Sequence, residues 1–339
     1  MFPLKVKEYI QNCIDKRNNF AVFRFPGEDV FHIAGENGYI FKINEFGAKS
    51  NGAKDVLDYD SKRLTLEAGT RSEDLKMAVS TVINRHKKLG GGKTVVSCVF
   101  RGNSDRENLI ERINEFFELN KENFCFIMQA TPGQIWVSAT PELLLSLKEG
   151  KASTIALAGT RRVGEKNTAW DDKNKNEQQI VTDHIVREWR TLGLNVNVGE
   201  PRTRRSCHIE HICTDISADV PRDINADQLI DAIYPTPAIL GYPVDFAKKN
   251  ISELETHKRN FFAGYVTVCS PDGSLTAYVI LRCACIDVLN DYDMNIYCGC
   301  GITEESDYES EKKEYLDKSH VLRTVLGKDF MVPFDEIKE

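Results

Sequence analysis

No run of apolar residues reaches the roughly 18 that a membrane-crossing helix needs, so no membrane partner is expected. The first residues, Met1-Phe-Pro-Leu-Lys-Val-Lys-Glu8, lack the apolar core of a secretory signal, which points to a cytoplasmic protein. A basic excess is missing too. Lys and Arg total 44 against 51 Asp and Glu, a net charge of -7. That balance argues against broad nucleic-acid binding. Cysteine stays far below disulfide-scaffold density, with ten in 339 residues. Most lie in apolar runs such as Val96-Ser-Cys98-Val and Asn123-Phe-Cys125-Phe, as reduced, buried thiols do. Cys283-Ala-Cys285 and Cys298-Gly-Cys300 have CxC spacing, whereas structural zinc sites more often use CxxC or wider. In a strand that spacing sends both thiols to one face, so core packing is favoured over zinc.

What is present is an ordinary globular composition, 41% hydrophobic and 28% charged, in a chain long enough for a large core. Residues 1–19 read as a short helix. Strands follow at 20–25, 30–34 and 39–43, with turns at Pro26-Gly27 and Asn37-Gly38. Residues 46–70 are polar and irregular. Helical periodicity covers 72–88 and 107–120, on either side of a strand at 94–100. A meander of strands at 124–129, 134–139 and 153–158 comes next, then a polar stretch, 163–176. Helices are predicted at about 177–192 and 226–233. A second meander occupies 264–269, 275–283 and 295–298, and a last helix closes the chain. Strand blocks alternate with helix blocks, so an α+β fold with antiparallel sheets is expected rather than a doubly wound one. No repeat, low-complexity tract or linker divides the chain, and one domain over 1–339 is expected. A monomer is compatible with that size.

Several groups suit chemistry. Glu311, Glu314 and Lys318 lie at i, i+3 and i+7, on one face of the last helix. Two carboxylates with an ammonium beyond them suit a hard cation beside an anionic ligand, although a solvated, salt-bridged surface has the same pattern. Glu177 opens its helix on the side of Ile180 and Val181, where a carboxylate needs a cation or a proton; a first-turn glutamate favoured by the helix dipole is the plainer reading. Gly90-Gly-Gly-Lys93-Thr94 misses the phosphate-loop pattern, because position 87 is lysine and Lys93 enters a strand. Desolvation at the mouth of that apolar strand would make a neutral Lys93 amine available as a general base. Glu142, beside three leucines, could be held protonated; alternatively, Thr140 and Pro141 start a helix with Glu142 in its first turn. Gly159 and Thr160 end a strand where backbone N–H groups could hold an anion. Arg282, between Leu281 and Cys283, needs an anionic partner. His211 alternates with apolar residues and reads by default as a satisfied core histidine.

Nine segments, in order, resemble the chorismate-utilising enzymes: Lys93-Thr-Val-Val-Ser97, Thr140-Pro-Glu-Leu-Leu-Leu145, Ala156-Leu-Ala-Gly-Thr-Arg161, Glu177-Gln-Gln-Ile-Val181, Pro235-Thr-Pro-Ala-Ile-Leu-Gly241, Arg259-Asn-Phe-Phe-Ala-Gly264, Ile280-Leu-Arg-Cys283, Tyr297-Cys-Gly-Cys-Gly-Ile302 and Glu311-Lys-Lys-Glu-Tyr-Leu-Asp-Lys318. They span roughly residues 85–325, with residues 1–84 a divergent N-terminal part. The resemblance implies a single α+β domain, an antiparallel β-sandwich with helices around a central cleft. It implies Mg²⁺ held by Glu177 and Glu314, with Glu311 acting through water. It implies that Gly159, Thr160, Arg282, Gly299 and Lys318, with His211 beside them, bind the carboxylates of chorismate. Lysine at position 93 resembles the isochorismate and salicylate synthases, where the amine-adding anthranilate enzymes usually have glutamine. Ala158 replaces the lysine of the aminodeoxychorismate motif. The expected reaction is isomerisation of chorismate to isochorismate, with Lys93 as base and Glu142 as acid. A salicylate synthase, or a chorismate-binding protein without chemistry, stays open beside it.

Overall fold

The structure, a computed structural model, describes residues 1–60, 62–164, 169–331 and 334. In chain order the elements are α1 (Leu4–Lys16), β1 (Phe20–Arg24), β2 (His32–Ile33), β3 (Ile40–Asn44), β4 (Lys54–Asp55), α2 (Ser72–Leu89), β5 (Lys93–Ser104), α3 (Leu109–Leu119), β6 (Phe124–Thr131), β7 (Gln134–Thr140), β8 (Leu143–Lys148), β9 (Lys151–Arg162), α4 (Asp172–Thr191), β10 (Val196–Val198), β11 (Arg202–Ser206), β12 (Ile209–Asp219), α5 (Ala226–Ile233), β13 (Gly241–Tyr242), α6 (Val244–Leu254), β14 (Tyr265–Cys269), β15 (Leu275–Val279), β16 (Cys283–Asp287), β17 (Asp293–Ile302), α7 (Tyr308–Val321) and β18 (Gly327–Met331). The expected α+β class and antiparallel pairing hold throughout.

Two nine-stranded sheets form. The first runs β13-β5-β17-β16-β7-β6-β1-β2 with β18 beside β5, and the second runs β10-β12-β9-β8-β15-β14-β3-β4 with β11 beside β12. Their facing side chains interdigitate: Phe23 of β1 meets Phe41 of β3 at 5.4 Å between ring centroids, and Phe124 of β6 stacks on Tyr278 of β15 at 4.2 Å. That core continues beneath α4 and α5 through Val181, Ile185, Trp189 and Ile230. A second core lies between the outer face of the first sheet and α1, α2, α3 and α7. The first sheet is thus covered on both faces. This is why β1, β6 and β7 are buried at every position and read as unbroken apolar runs rather than alternating ones.

The departures from expectation are local. The meander through 124–158 has four strands, because Leu143–Lys148 is extended rather than helical. The expected strand over 275–283 is two strands, β15 and β16, in different sheets. Helix α6 and strands β10, β11 and β12 were not read from the sequence, and β18 follows the last helix. Of the polar stretch 163–176, residues 165–168 lie outside the described residues. Its end is already helical, since Asp171 caps Asn174 N at 2.8 Å and α4 starts at Asp172.

Candidate active site

The chain passes from the first sheet to the second between β7 and β8, at Pro141-Glu142, and returns between β15 and β16, at Ile280-Leu281-Arg282. The two corners are tied together: Val279 N donates to Glu142 O at 3.1 Å, and Ala139 N donates to Arg282 O at 3.3 Å. Arg282 turns its corner in the left-handed region, at φ 46°, uncommon for a residue with a side chain. Strand switching leaves a gap between the sheets, and here it forms a cleft. Lys93, Glu142, Glu177, His211, Arg282 and Lys318 line it, and Val95, Leu157, Ile239, Phe262 and Tyr297 form apolar walls.

Glu142 sits on the corner and is only 4% exposed. The helical alternative for it fails, because no helix starts there. Burial raises its pKa to about 7, against the opposing effects of Lys93, the Thr236 hydroxyl at 3.5 Å, Lys318 and Arg204. Lys93, the first residue of β5, is 1% exposed and pairs with Glu177 at 2.8 Å. The sequence reading gave Lys93 an apolar setting without a partner; the structure supplies a carboxylate. Glu177 lies more than one turn into α4, so a first-turn role with the helix dipole does not explain it. The pair rests on Gly301, where a Cβ would overlap both Glu177 Oε1 and Lys93 Cε.

Arg282 is held by neutral groups, with Nη1 donating to Ser206 Oγ and Nη2 to His211 Nε2, each at 2.5 Å. Among the described residues no carboxylate pairs with it. Burial lowers its pKa to about 10. His211 Nδ1 bonds Gly159 O at 2.8 Å, so the proton is assigned to Nδ1 and Nε2 is free to accept from Arg282. Burial, then Arg282, push the His211 pKa well below its ordinary value and keep the ring neutral. His211 is therefore a satisfied, buried histidine that also orients the arginine. Gly159 and Thr160 form a bulge opposite His211, where the pairing of β9 with β12 shifts register. The Thr160 N–H expected to be open for an anion donates instead to Asn174 Oδ1 at 3.1 Å.

On α7, Glu311 and Glu314 come together as the spacing predicts, and Cys300 joins them. The three ligand atoms lie within 4.8 Å of one another. Glu177 is outside that group and faces Lys93. Lys318 bridges Glu314 Oε1 at 2.6 Å and Gly299 O at 2.9 Å. Burial works against its ammonium, but Glu314 and the neighbouring thiols outweigh that and raise its pKa. Burial, then the neighbouring Glu314, raise Glu311 to about 7. Glu314 is also penalised by burial, yet Lys318 and Lys173 bring it below its usual value. Glu311 Oε1 accepts from Lys173 Nζ at 2.5 Å, while its buried Oε2 has no hydrogen-bond partner among the described residues. An orphaned carboxylate oxygen beside a second carboxylate fits a hard divalent cation. The Cys300 thiol, its pKa pushed well up by burial, does not suit such an ion. These carboxylates line a polar cavity that shares Thr160 with the first.

Sequence reasoning missed Lys173, Ser206 and Thr236. Lys173 was legible in principle. It stands four residues before Glu177, on one helix face once α4 is started at its Asp171 cap. Ser206 and Thr236 reach the site from distant elements and carry no local signal.

Fold and cavity together define a small-molecule site at the junction of two antiparallel sheets, with cations on one wall and an acidic pair alongside. A family model for "Chorismate binding enzyme" matches residues 42–327, and the chain belongs to that family. Isochorismate synthase EntC of Escherichia coli (strain K12) is 27% identical over 230 residues, 65% of this chain and 57% of that protein. Anthranilate synthase component 1 of Aquifex aeolicus is 28% identical over 236 residues, 66% of this chain and 46% of that protein. The matches thus span about half the length of these relatives. The structure of MenF, the menaquinone-specific isochorismate synthase of Escherichia coli, has the same fold, with a TM-score of 0.75 at 18% identity over 96% of this chain and 93% of that one.

Proposed function

We propose that the chain is a one-domain, Mg²⁺-dependent isochorismate synthase that adds water at C2 of chorismate and removes the C4 hydroxyl. The observation that carries this reading is that a buried amine, Lys93, and a buried carboxyl held near neutrality, Glu142, open into one cavity. Burial suits Glu142 to the acid role, and Lys93 supplies the amine for the base. Arg282, oriented by Ser206 and His211, offers its guanidinium to a substrate carboxylate, and Lys318, Gly159, Thr160 and Gly299 complete that wall. Lys93 takes a proton from water as the water oxygen bonds to C2. The ring double bonds shift. Glu142 gives its proton to the C4 oxygen, which departs as water. One water enters and one leaves, so the product is an isomer. Glu177 holds Lys93 in an ion pair, and a lysine that acts as base requires that pair to part. Glu177, Glu311 and Glu314 would hold Mg²⁺, which supplies Lewis-acid and orienting chemistry to the ring carboxylate.

The test is chromatography of the product formed from chorismate and Mg²⁺, with and without a chelator. Isochorismate alone, lost on chelation, supports the reading. Salicylate with pyruvate would place further elimination in the same pocket. Anthranilate formed only with ammonia, or binding without conversion, would overturn it. Lysine rather than glutamine at position 93 favours water over ammonia as the nucleophile.

A further inference from the structure

Outside the acid/base pair, one charged group is embedded in the acidic cluster and has no place in the reaction. Lys173 is the second residue of α4, and its Nζ bonds Glu311 Oε1 at 2.5 Å. Its charge is felt by Glu311, Glu314 and Glu177, three carboxylates on two helices. Lys318 already serves Glu314 at 2.6 Å. Lys173 is thus the ammonium that offsets Glu311, whose other oxygen is buried with no hydrogen-bond partner among the described residues. The lysine is not locked in. It is 23% exposed along a four-carbon stem, at the wall of the polar cavity, where Asp171, Glu305 and Asp307 are alternative acceptors. Its field already reaches Asp307.

We propose that Lys173 is the resident counter-ion of the Glu311/Glu314 pair: its ammonium stands where a divalent cation's charge would be, and it must swing out before a cation can bind. This rests on the reading of Glu311 and Glu314 as cation ligands. Two buried carboxylates left bare repel one another, and the tethered ammonium removes that cost in the free protein. The same attraction opposes cation entry. Lys173 therefore sets the cation affinity of the substrate-free chain.

The experiment is Mn²⁺ binding to the full chain without chorismate, followed by electron paramagnetic resonance, in wild type, Lys173→Met and Lys173→Arg. Lys173→Met is expected to bind at least about tenfold more tightly than wild type, a difference of roughly 1.4 kcal/mol. Lys173→Arg, which keeps the charge, should stay close to wild type. A lysine that merely ties α4 to α7 predicts the opposite: unchanged or weaker binding in a destabilised Lys173→Met. That result would overturn the inference alone. No Mn²⁺ uptake by any of the three chains would overturn the cation site itself, and this inference with it. Should Lys173→Met fail to fold, the wild-type chain gives the answer through amine labelling read by mass spectrometry. Mg²⁺ should raise the labelling rate of Lys173, and an unchanged or lower rate refutes the displacement.

Discussion

Glu142 is fully desolvated, its one side-chain hydrogen bond is a long contact to the Thr236 hydroxyl, and the nearby cations, Lys93 foremost, offset burial only in part, so its pKa stays at about 7. Two consequences can be measured. As the proton donor, Glu142 must be protonated, so kcat/KM should fall about tenfold per pH unit above 7. Glu142→Gln keeps shape but not the proton and should lose ~10²–10⁴ in kcat, with circular dichroism unchanged. For stability the sign is the reverse of the usual carboxylate case. The folded chain holds this proton up to about pH 7, whereas the unfolded chain releases it near 4.5. Between those values the native state binds more protons, so stability declines as pH rises through the window. On the order of 3 kcal/mol is at stake, and urea melts of Glu142→Gln should show a flatter pH dependence there. Arg282 makes a different prediction, because its partners Ser206 and His211 are neutral. Arg282→Ala removes a charge-assisted contact to a substrate carboxylate. KM for chorismate should rise roughly 10–100-fold, from about 1.5–3 kcal/mol for such a bond, with a smaller change in Tm. An unchanged KM would place the carboxylate elsewhere.

β17 matters through a residue without a side chain. Its Gly301 is the surface on which Lys93 and Glu177 meet. Gly301→Ala inserts a methyl where neither backbone nor ion pair has room. Overpacking of this kind costs ~1–3 kcal/mol, and thermal melts should show it. Turnover should drop far more than stability, because Lys93 and Glu177 both have to move. A variant with wild-type kcat would show that the pair tolerates displacement. Much of this level was legible in the sequence. Helix α5 was read at its true bounds, and strands β1, β6 and β7 of the first sheet were plain from their apolar runs. What escaped had physical reasons. Helix α6 buries only Ala247 and Asn250, so it has almost no apolar stripe to see. Strand β11 is mostly arginine and threonine, an edge that pairs on one side. The corner at Ile280-Leu281-Arg282 carries neither glycine nor proline, and an unbroken apolar run concealed the switch between sheets. In the site, the Glu311–Glu314 spacing is a property of one helix and could be read directly. The Lys93–Glu177 pair joins a strand to a helix across the fold, and no local pattern announces it.

The family motifs begin at Lys93, yet the architecture does not. Strands β1 and β2 form one edge of the first sheet, and β3 and β4 form one edge of the second. The N-terminal residues therefore complete both layers of the sandwich. Phe23 and Phe41, from these two edges, are fully buried and meet each other as well as Phe124 and Phe126. Loss of one such phenylalanine costs ~3–5 kcal/mol, and a whole domain has only about 5–15 kcal/mol to lose. Deleting residues 1–56 removes both rings, α1 and both sheet edges while leaving every motif of the cavity in place. The truncated chain is expected to lose near-UV circular dichroism and to be cut rapidly by protease, although the family segments are intact. A truncated chain that kept a cooperative melt and turned over chorismate would show that the cavity is supported by β5–β17 alone, and that the interlocking of the two sheets at β1 and β3 is dispensable.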